Sequence, residues 1–277
     1  ASTIPGPLYD RMDVIELPSY TSEEKYQIAV RHLIPKQLAK NGLTKKQLRI
    51  TPAGVRDLIE NYTREAGVRT LERRIADLCR KAAKNVVENP GEDMCLTVSP
   101  KNMEELLGPR RYKRDENAKK DEIGLVNGLA WTSVGGEMLP IEVAVMDGTG
   151  KMELTGSLGD VMKESIRTAV SCIRTHAKDW GVPTDFYTKK DIHVHCPEGA
   201  VPKDGPSAGI AMVTAITSAL TGIPVRHDVA MTGEVTLRGR VLPIGGLREK
   251  SMAAYRSGFH TVLFPADNVP DLSEVDA

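Results

Sequence analysis

The chain has 277 residues, of which 40% are apolar and 27% are charged, and this composition excludes an intrinsically disordered protein. Its 37 basic side chains are balanced by 37 acidic ones, which argues against a strongly basic nucleic-acid binder or a membrane-surface binder. The length predicts about two domains. The four cysteines (Cys79, Cys95, Cys172 and Cys196) form no C-x-x-C pair, and the first ten residues contain no apolar signal-peptide core, so we expect a cytoplasmic protein.

Helical signals fill the first 110 residues. Thr21 and Glu24 form a capping-box pattern, and Thr51 followed by Pro52 is typical of another helix start. After Gly67, one face of a long helix is apolar, at Leu71, Ile75, Leu78, Ala82 and Val86. Alternating apolar residues over 94–98 predict one short strand. Residues 1–110 are therefore predicted to form a small all-α helical domain with one short strand.

A polar segment separates this domain from the second one. Residues 111–120 read RYKRDENAKK and are predicted to be an exposed linker. In 121–277 the signals are mixed, with strands predicted at 125–131, 138–146, 151–155 and 192–196 and a hairpin turn at Asp147-Gly148. Helices are predicted over 160–178, with Val161, Ile166, Val170 and Ile173 facing inward, and over 247–256. Strands and helices intermix without a regular βαβ repeat, so residues 121–277 are assigned to the α+β class.

One segment without charge, 205–225, is long enough to cross a bilayer. It consists largely of Gly, Ala, Ser and Thr, and it contains a single leucine, Leu220. Such residues gain little from lipid, so a helix packed inside a globular domain is favoured and no membrane contact is expected.

Nucleotide and metal motifs fail on inspection of the sequence. The only Gly-Lys pair, Gly150-Lys151, has Val145 where a Walker A motif needs glycine and Met152 where it needs serine or threonine. No cofactor is therefore expected for this chain alone. His193 and His195 point to the same side of a predicted strand but have no third ligand at a clear spacing, so ordinary strand histidines are favoured over a metal site.

The segment Pro202–Gly209, PKDGPSAG, carries the strongest chemical signal. Its Gly- and Pro-rich loop delivers Ser207 to the first turn of a helix, where unpaired N–H groups and the positive end of the helix dipole favour an anion. A serine placed there can attack a carbonyl and have the resulting oxyanion stabilised. The alternative is a serine that merely caps a buried helix.

A nucleophilic serine needs a general base. No histidine of the chain lies in a suggestive local pattern, which weakens a Ser–His–Asp arrangement. Lys250 follows the Gly245-Gly246 turn near a helix start, where desolvation and the helix dipole both disfavour the ammonium form. The alternative is an ordinary exposed helix lysine.

These segments resemble the bacterial ATP-dependent Lon proteases. The resemblance lies in PKDGPSAGI at 202–210, in MTGEVTLRG at 231–239 and in VLPIGGLREK at 241–250. Upstream, 4–12 and YTREAGVR at 62–69 resemble the end of the ATPase module of that family. The resemblance covers essentially the whole chain, and it implies a fragment made of the helical lid subdomain and the protease domain, truncated at the C-terminal end of that domain.

The resemblance also implies roles for individual residues. Ser207 and Lys250 would form a Ser–Lys dyad, Thr232 would orient it, and Asp204 would switch the loop before the serine between open and blocked forms. Arg69 would be the nucleotide-sensing arginine of the lid, and Arg11 would be an arginine finger. Both arginines would act only in the full-length protein, with ATP and Mg²⁺.

The function implied by the resemblance is that of a serine endopeptidase that hydrolyses unfolded or damaged proteins in protein quality control. The resemblance also implies a homo-oligomer in the form of a hexameric ring. The rival interpretation is a binding and assembly module with a dormant protease domain. It is based on a basic cluster in the first domain that could contact DNA weakly: Lys36, Lys40, Lys45, Lys46 and Arg49.

Overall fold

A computed structural model describes residues 4–13, 15, 19–89, 95–112, 120–132, 135–197 and 202–275. The chain divides into two compact units, Ala1–Tyr112 and Lys113–Ala277. Most of the predicted linker, residues 113–119, lies outside the described residues. The fold class is confirmed, because the first unit is mainly helical and the second combines helices with a mixed sheet.

The first unit consists mostly of short helices. They are α1 (Gly6–Tyr9), α2 (Ser22–Ile28), a π-helical turn (Ala29–Leu33), α3 (Ile34–Lys40), α4 (Pro52–Tyr62), α5 (Arg69–Glu88) and α6 (Met103–Leu107). Both predicted helix starts are confirmed, since Thr21 accepts a hydrogen bond from the Glu24 N–H and Thr51 accepts one from the Gly54 N–H. The apolar face of α5 lies in the core of this unit, where Leu71, Ile75 and Leu78 are buried.

The first unit contains two strands in its described residues, where the sequence predicted one. β1 (Leu48–Ile50) pairs in parallel with β2 (Leu96–Val98). The first residue of the predicted strand 94–98, residue 94, lies outside the described residues. β1 was missed because a strand of three residues is too short to give a recognisable alternation.

The second unit is built on a six-stranded mixed sheet. Its strands are β3 (Leu125–Thr132), β4 (Gly135–Asp147), β5 (Met152–Thr155), β6 (Lys190–His195), β7 (Val229–Met231) and β10 (Thr261–Leu263), in the order β10-β7-β3-β4-β6-β5. β8 (Glu234–Val235) and β9 (Val241–Leu242) form a separate antiparallel pair. The hairpin predicted at Asp147-Gly148 is wrong: β6 lies between β4 and β5, and β5 pairs in parallel with β6.

Helices of the second unit pack against this sheet. They are α7 (Asp160–His176), α8 (Phe186–Lys189), α9 (Gly209–Thr221), α10 (Leu247–Arg256) and a 3₁₀ helix (Ala266–Glu274). On α7, Ile166 and Ile173 are buried as predicted, but Val161 is 45% exposed and Met162 is buried instead. Met162 continues the spacing of three and four residues through the inward face, and Val161 does not.

The charge-free segment forms α9 inside the second unit. Ala211, Met212, Ala215 and Ile216 are completely buried. Small side chains let α7 and the sheet approach this helix closely. Across the described part of the chain, no helix is both long and apolar enough to span a membrane.

Candidate active site

Ser207 lies in a loop, 202–208, that leads directly into α9; we call it the serine loop. The Ser207 carbonyl oxygen accepts hydrogen bonds from the Gly233 N–H at 2.8 Å and from the Thr232 hydroxyl at 3.1 Å. A Cβ on Gly209 would lie 2.7 Å from the Val235 nitrogen, so the start of α9 packs tightly against the chain after β7. The backbone around Ser207 is thereby fixed, while the half-buried Ser207 hydroxyl makes no hydrogen bond to a described residue.

Lys250 occupies an inward position of α10. This helix starts after Gly246, which has a φ of +70°, and its buried face contains Leu247, Lys250, Ala253 and Ala254. Lys250 is only 1% exposed. Burial disfavours the charged amine, and it lowers the pKa of Lys250 from its ordinary value of 10.5 to about 8.

Thr232 connects these two residues. It follows β7 directly, and it is 1% exposed. The Lys250 Nζ donates to Thr232 Oγ1 at 3.1 Å, and the Thr232 hydroxyl donates in turn to the Ser207 carbonyl oxygen. The three residues therefore form one hydrogen-bonded network, in which Thr232 and Lys250 are buried and the half-buried Ser207 takes part through its backbone carbonyl.

A cleft of about 480 Å³ gives access to these hydrogen-bonded residues. It is lined by Ser207, Lys250 and Asp204, among others. Other lining residues were not singled out from the sequence; among them are Trp131, Glu137, Met162 and Glu234. Trp131 is 61% exposed, and the only signal for it was a large aromatic residue at the end of a strand. A cleft of this volume with a mixed polar and apolar lining is typical of a ligand-binding site.

None of the histidines in the described residues lines the cleft. His193 and His195 instead both contact the Thr155 hydroxyl, at 2.9 and 2.7 Å, and His227 pairs with Asp121 at 2.6 Å. The described residues also contain no group of three or more His, Cys, Asp or Glu side chains arranged to hold a metal ion. The arrangement at the cleft therefore favours a lysine over a histidine as the base for Ser207.

Asp204 makes contacts of its own within the second unit. Asp204 Oδ1 accepts hydrogen bonds from the Met162 N–H at 3.0 Å and from the Gly205 N–H at 2.9 Å. Asp204 therefore contacts the start of α7 rather than Lys250. Arg11 and Arg69 are both exposed in the first unit.

The residues of the rejected Walker A pattern do not fit a nucleotide phosphate. The N–H groups of Thr149 and Lys151 both donate to Asp191 Oδ1 at 2.8 Å, so a carboxylate of the chain already occupies this turn. A strand, β5, follows the turn, where a P-loop requires a helix.

Comparison with known proteins gives matches along almost the entire chain. Residues 97–277 match the family described as the Lon protease (S16) C-terminal proteolytic domain, and residues 39–94 match the Lon protease AAA+ ATPase lid domain. Among similar proteins is the Lon protease of Geobacter metallireducens, which is 54% identical over 273 residues, or 99% of this chain and 33% of that protein. The Lon protease of Haemophilus influenzae is 55% identical over 272 residues, or 98% of this chain and 34% of that protein. The chain thus spans about a third of the length of the curated relatives that it matches.

Proposed function

The chain belongs to the Lon protease family, and from this premise we propose that it is the lid and serine endopeptidase portion of an ATP-dependent protease. In this proposal Ser207 is the nucleophile and Lys250 is the general base. Thr232 holds the amine of Lys250, and Asp204 holds the serine loop.

The burial of Lys250 is the observation that carries this proposal. An ordinary lysine at pH 7.5 is unprotonated in only about one molecule in a thousand, which is too few for an effective base. With its pKa lowered to about 8, Lys250 is unprotonated in a substantial fraction of molecules near neutral pH. The same side chain is oriented by Thr232 and lines the cleft together with Ser207.

The chemistry follows from these positions. Ser207 Oγ attacks the carbonyl carbon of the peptide bond while Lys250 Nζ takes the hydroxyl proton. The N–H groups of Ser207 and Ala208 donate to no described residue, so they are available for the oxyanion. As the intermediate collapses, Lys250 returns the proton to the leaving amine and an acyl-enzyme is left on Ser207. Lys250 then takes a proton from the water that attacks the ester, and it returns this proton to Ser207 Oγ as the second intermediate collapses. The products are the free serine and a carboxylic acid, which loses its own proton to the solvent.

The Ser207 hydroxyl does not donate to Lys250 in this structure. Catalytic hydrogen bonds in enzymes without substrate are often long and shorten when the substrate binds. We therefore propose that a bound polypeptide brings the Ser207 hydroxyl and the Lys250 amine into contact.

Substrates and assembly are proposed for the full-length protein. The substrates are unfolded or damaged polypeptides, and the assembly is a hexameric ring that uses ATP and Mg²⁺. No step of the peptide hydrolysis described above uses ATP or Mg²⁺.

Covalent labelling tests the proposed nucleophile. A fluorophosphonate probe should label the chain at Ser207, as mapped by peptide mass spectrometry, and an unfolded polypeptide should be cleaved. Ser207→Ala should abolish both, and Ser171→Ala, which changes an exposed serine of α7, should change neither. Label on another serine, or cleavage that persists in Ser207→Ala, would contradict the assignment.

Contact with DNA stays a separate prediction. Of the basic cluster, Lys36 pairs with Glu72 at 2.8 Å, while Lys40, Lys45, Lys46 and Arg49 are exposed. A salt-sensitive shift of labelled DNA would support this contact, and Ser207→Ala should leave it unchanged.

A further inference from the structure

The serine loop docks on the turn before α7, which consists of Gly156, Ser157, Leu158 and Gly159. The Lys203 N–H donates to the Ser157 carbonyl oxygen at 3.0 Å, and the Gly159 N–H donates to the Lys203 carbonyl oxygen at 2.7 Å. Leu158 and Lys203 thus form an isolated parallel bridge. Backbone hydrogen bonds fix the loop on this turn four residues before Ser207.

Asp204 adds a side-chain contact to this bridge. The residue that precedes α7, Gly159, has no side chain with which to cap the helix. Asp204 takes over the role, because its Oδ1 accepts from the N–H of Met162, the third residue of α7. The positive end of the helix dipole also favours a carboxylate at this point.

Gly159 makes this contact sterically feasible. Its φ is −72°, which any residue can adopt, so backbone conformation does not require glycine there. Space does: a Cβ on Gly159 would lie 2.3 Å from Asp204 Cγ and 2.6 Å from each carboxylate oxygen. Any side chain at this position must displace Asp204 from the start of α7.

The turn itself has an unusual backbone. Ser157 has a φ of +58°, and no other non-glycine residue in the described part of the chain has a positive φ. A left-handed residue of this kind is unfavourable, and it persists where the surrounding contacts require it. Here it orients the Ser157 carbonyl that receives the Lys203 N–H.

We propose that the turn 156–159 is a latch that holds the serine loop in its working conformation, and that Gly159 is a positioning residue for Ser207. The proposal rests on the proposed function in one respect, namely that Ser207 is the nucleophile. Gly159 is not among the residues that line the cleft. It acts through Asp204: because Gly159 has no side chain, the Asp204 carboxylate can reach the start of α7.

The experiment compares two glycine substitutions that cause the same kind of clash. Gly159→Ala places a methyl group against Asp204. Gly148→Ala places a methyl group 2.1 Å from Asp191 Cγ, in the turn between β4 and β5. Gly148 is not among the residues that line the cleft. With a fluorogenic peptide, Gly159→Ala should lower kcat by about 10- to 100-fold, because a small displacement of a reacting group has effects of that size. Gly148→Ala should keep kcat within about twofold, since it shifts only a remote turn.

A second pair of variants separates positioning from general destabilisation. In an Asp204→Ala background, adding Gly159→Ala should lower kcat no further, because no carboxylate remains to be displaced. Asp204→Asn keeps an oxygen that can accept from the Met162 N–H, and it should retain most of the activity lost in Asp204→Ala. This Ala and Asn pair also carries the test if Gly159→Ala does not accumulate as folded protein.

Each outcome decides between the alternatives. A wild-type chain that neither hydrolyses the peptide nor labels at Ser207 contradicts the proposed function. An active wild type with an equally active Gly159→Ala overturns the latch alone. The latch is also overturned if Gly148→Ala loses as much activity, if the losses of Gly159→Ala and Asp204→Ala multiply, or if Asp204→Asn is as inactive as Asp204→Ala.

Discussion

Replacing Lys250 with methionine should stabilise the second unit at neutral pH while it abolishes peptide hydrolysis. Burial lowers the pKa of Lys250 from 10.5 to about 8, which corresponds to about 3 kcal/mol of destabilisation of the folded state when the amine is charged. Methionine has a similar length and no charge, so it fills the same space without this penalty. The Thr232 hydroxyl still donates to the Ser207 carbonyl, so the substitution leaves no buried donor unpaired.

The stability advantage of Lys250→Met over the wild-type protein should decrease as the pH rises. Between about pH 8 and pH 10.5 the unfolded chain binds the lysine proton and the folded chain does not, so the wild-type protein gains stability as the pH rises. The advantage of Lys250→Met should therefore be about 3 kcal/mol at pH 7 and fall to about 1.4 kcal/mol at pH 9.5.

Tryptophan fluorescence in urea measures this effect in the second unit alone. The chain has two tryptophans, Trp131 and Trp180, and both belong to that unit. Lys178→Met, which changes an exposed lysine of the same unit, serves as the control and should shift the free energy of unfolding by less than about 0.5 kcal/mol at every pH. A Lys250→Met protein that is no more stable than wild type at pH 7, or whose advantage does not fall with pH, would refute the reasoning.

Three further outcomes are expected. Peptidase activity should rise with pH through a single ionisation near pH 8, because the lowered pKa of Lys250 makes the neutral base available above that value; Lys250→Arg should be inactive at every pH, since arginine keeps its proton. Thr232→Val removes the acceptor for the Lys250 amine, so kcat should fall by about 10- to 100-fold. The rise in activity should move to lower pH, because the ammonium loses a stabilising partner. An unchanged dependence of activity on pH would exclude Thr232 from the mechanism. The purified chain should not hydrolyse ATP, because the Gly150-Lys151 turn is bonded to Asp191; phosphate release above that of a protein-free blank would contradict this.

Local signals in the sequence were sufficient to predict the elements that carry the site. The helix predicted over 247–256 has these bounds in the structure. Ser207 was predicted in the first turn of a helix, and it lies just before that turn, in the loop next to Ala208, the N-cap of α9. Both predictions depended on glycines and prolines that end or begin helices, and such effects act within a few residues.

Long-range contacts could not be predicted in the same way. β5 pairs with β6 rather than with its neighbour β4, and nothing in the turn at Gly148 reveals that the Asp191 carboxylate fills it. Gly159 gave no signal for the same reason, since its partner Asp204 lies far away in the sequence. The prediction of Lys250 as a base depended on the family resemblance as well as on its helix position, because lysines near helix starts are usually exposed.

The site combines features that stability alone would not favour. Lys250 is buried without a carboxylate partner among the described residues, Ser157 has a left-handed backbone, and α7 receives its cap from Asp204 because Gly159 cannot supply one. Each of these could be relieved by a common substitution: methionine at 250, glycine at 157, or serine at 159. Methionine would remove the proposed base, and serine would displace Asp204 and with it the loop that carries Ser207. The two positions therefore couple stability to activity in opposite directions, which is the pattern expected of a catalytic centre and not of a core.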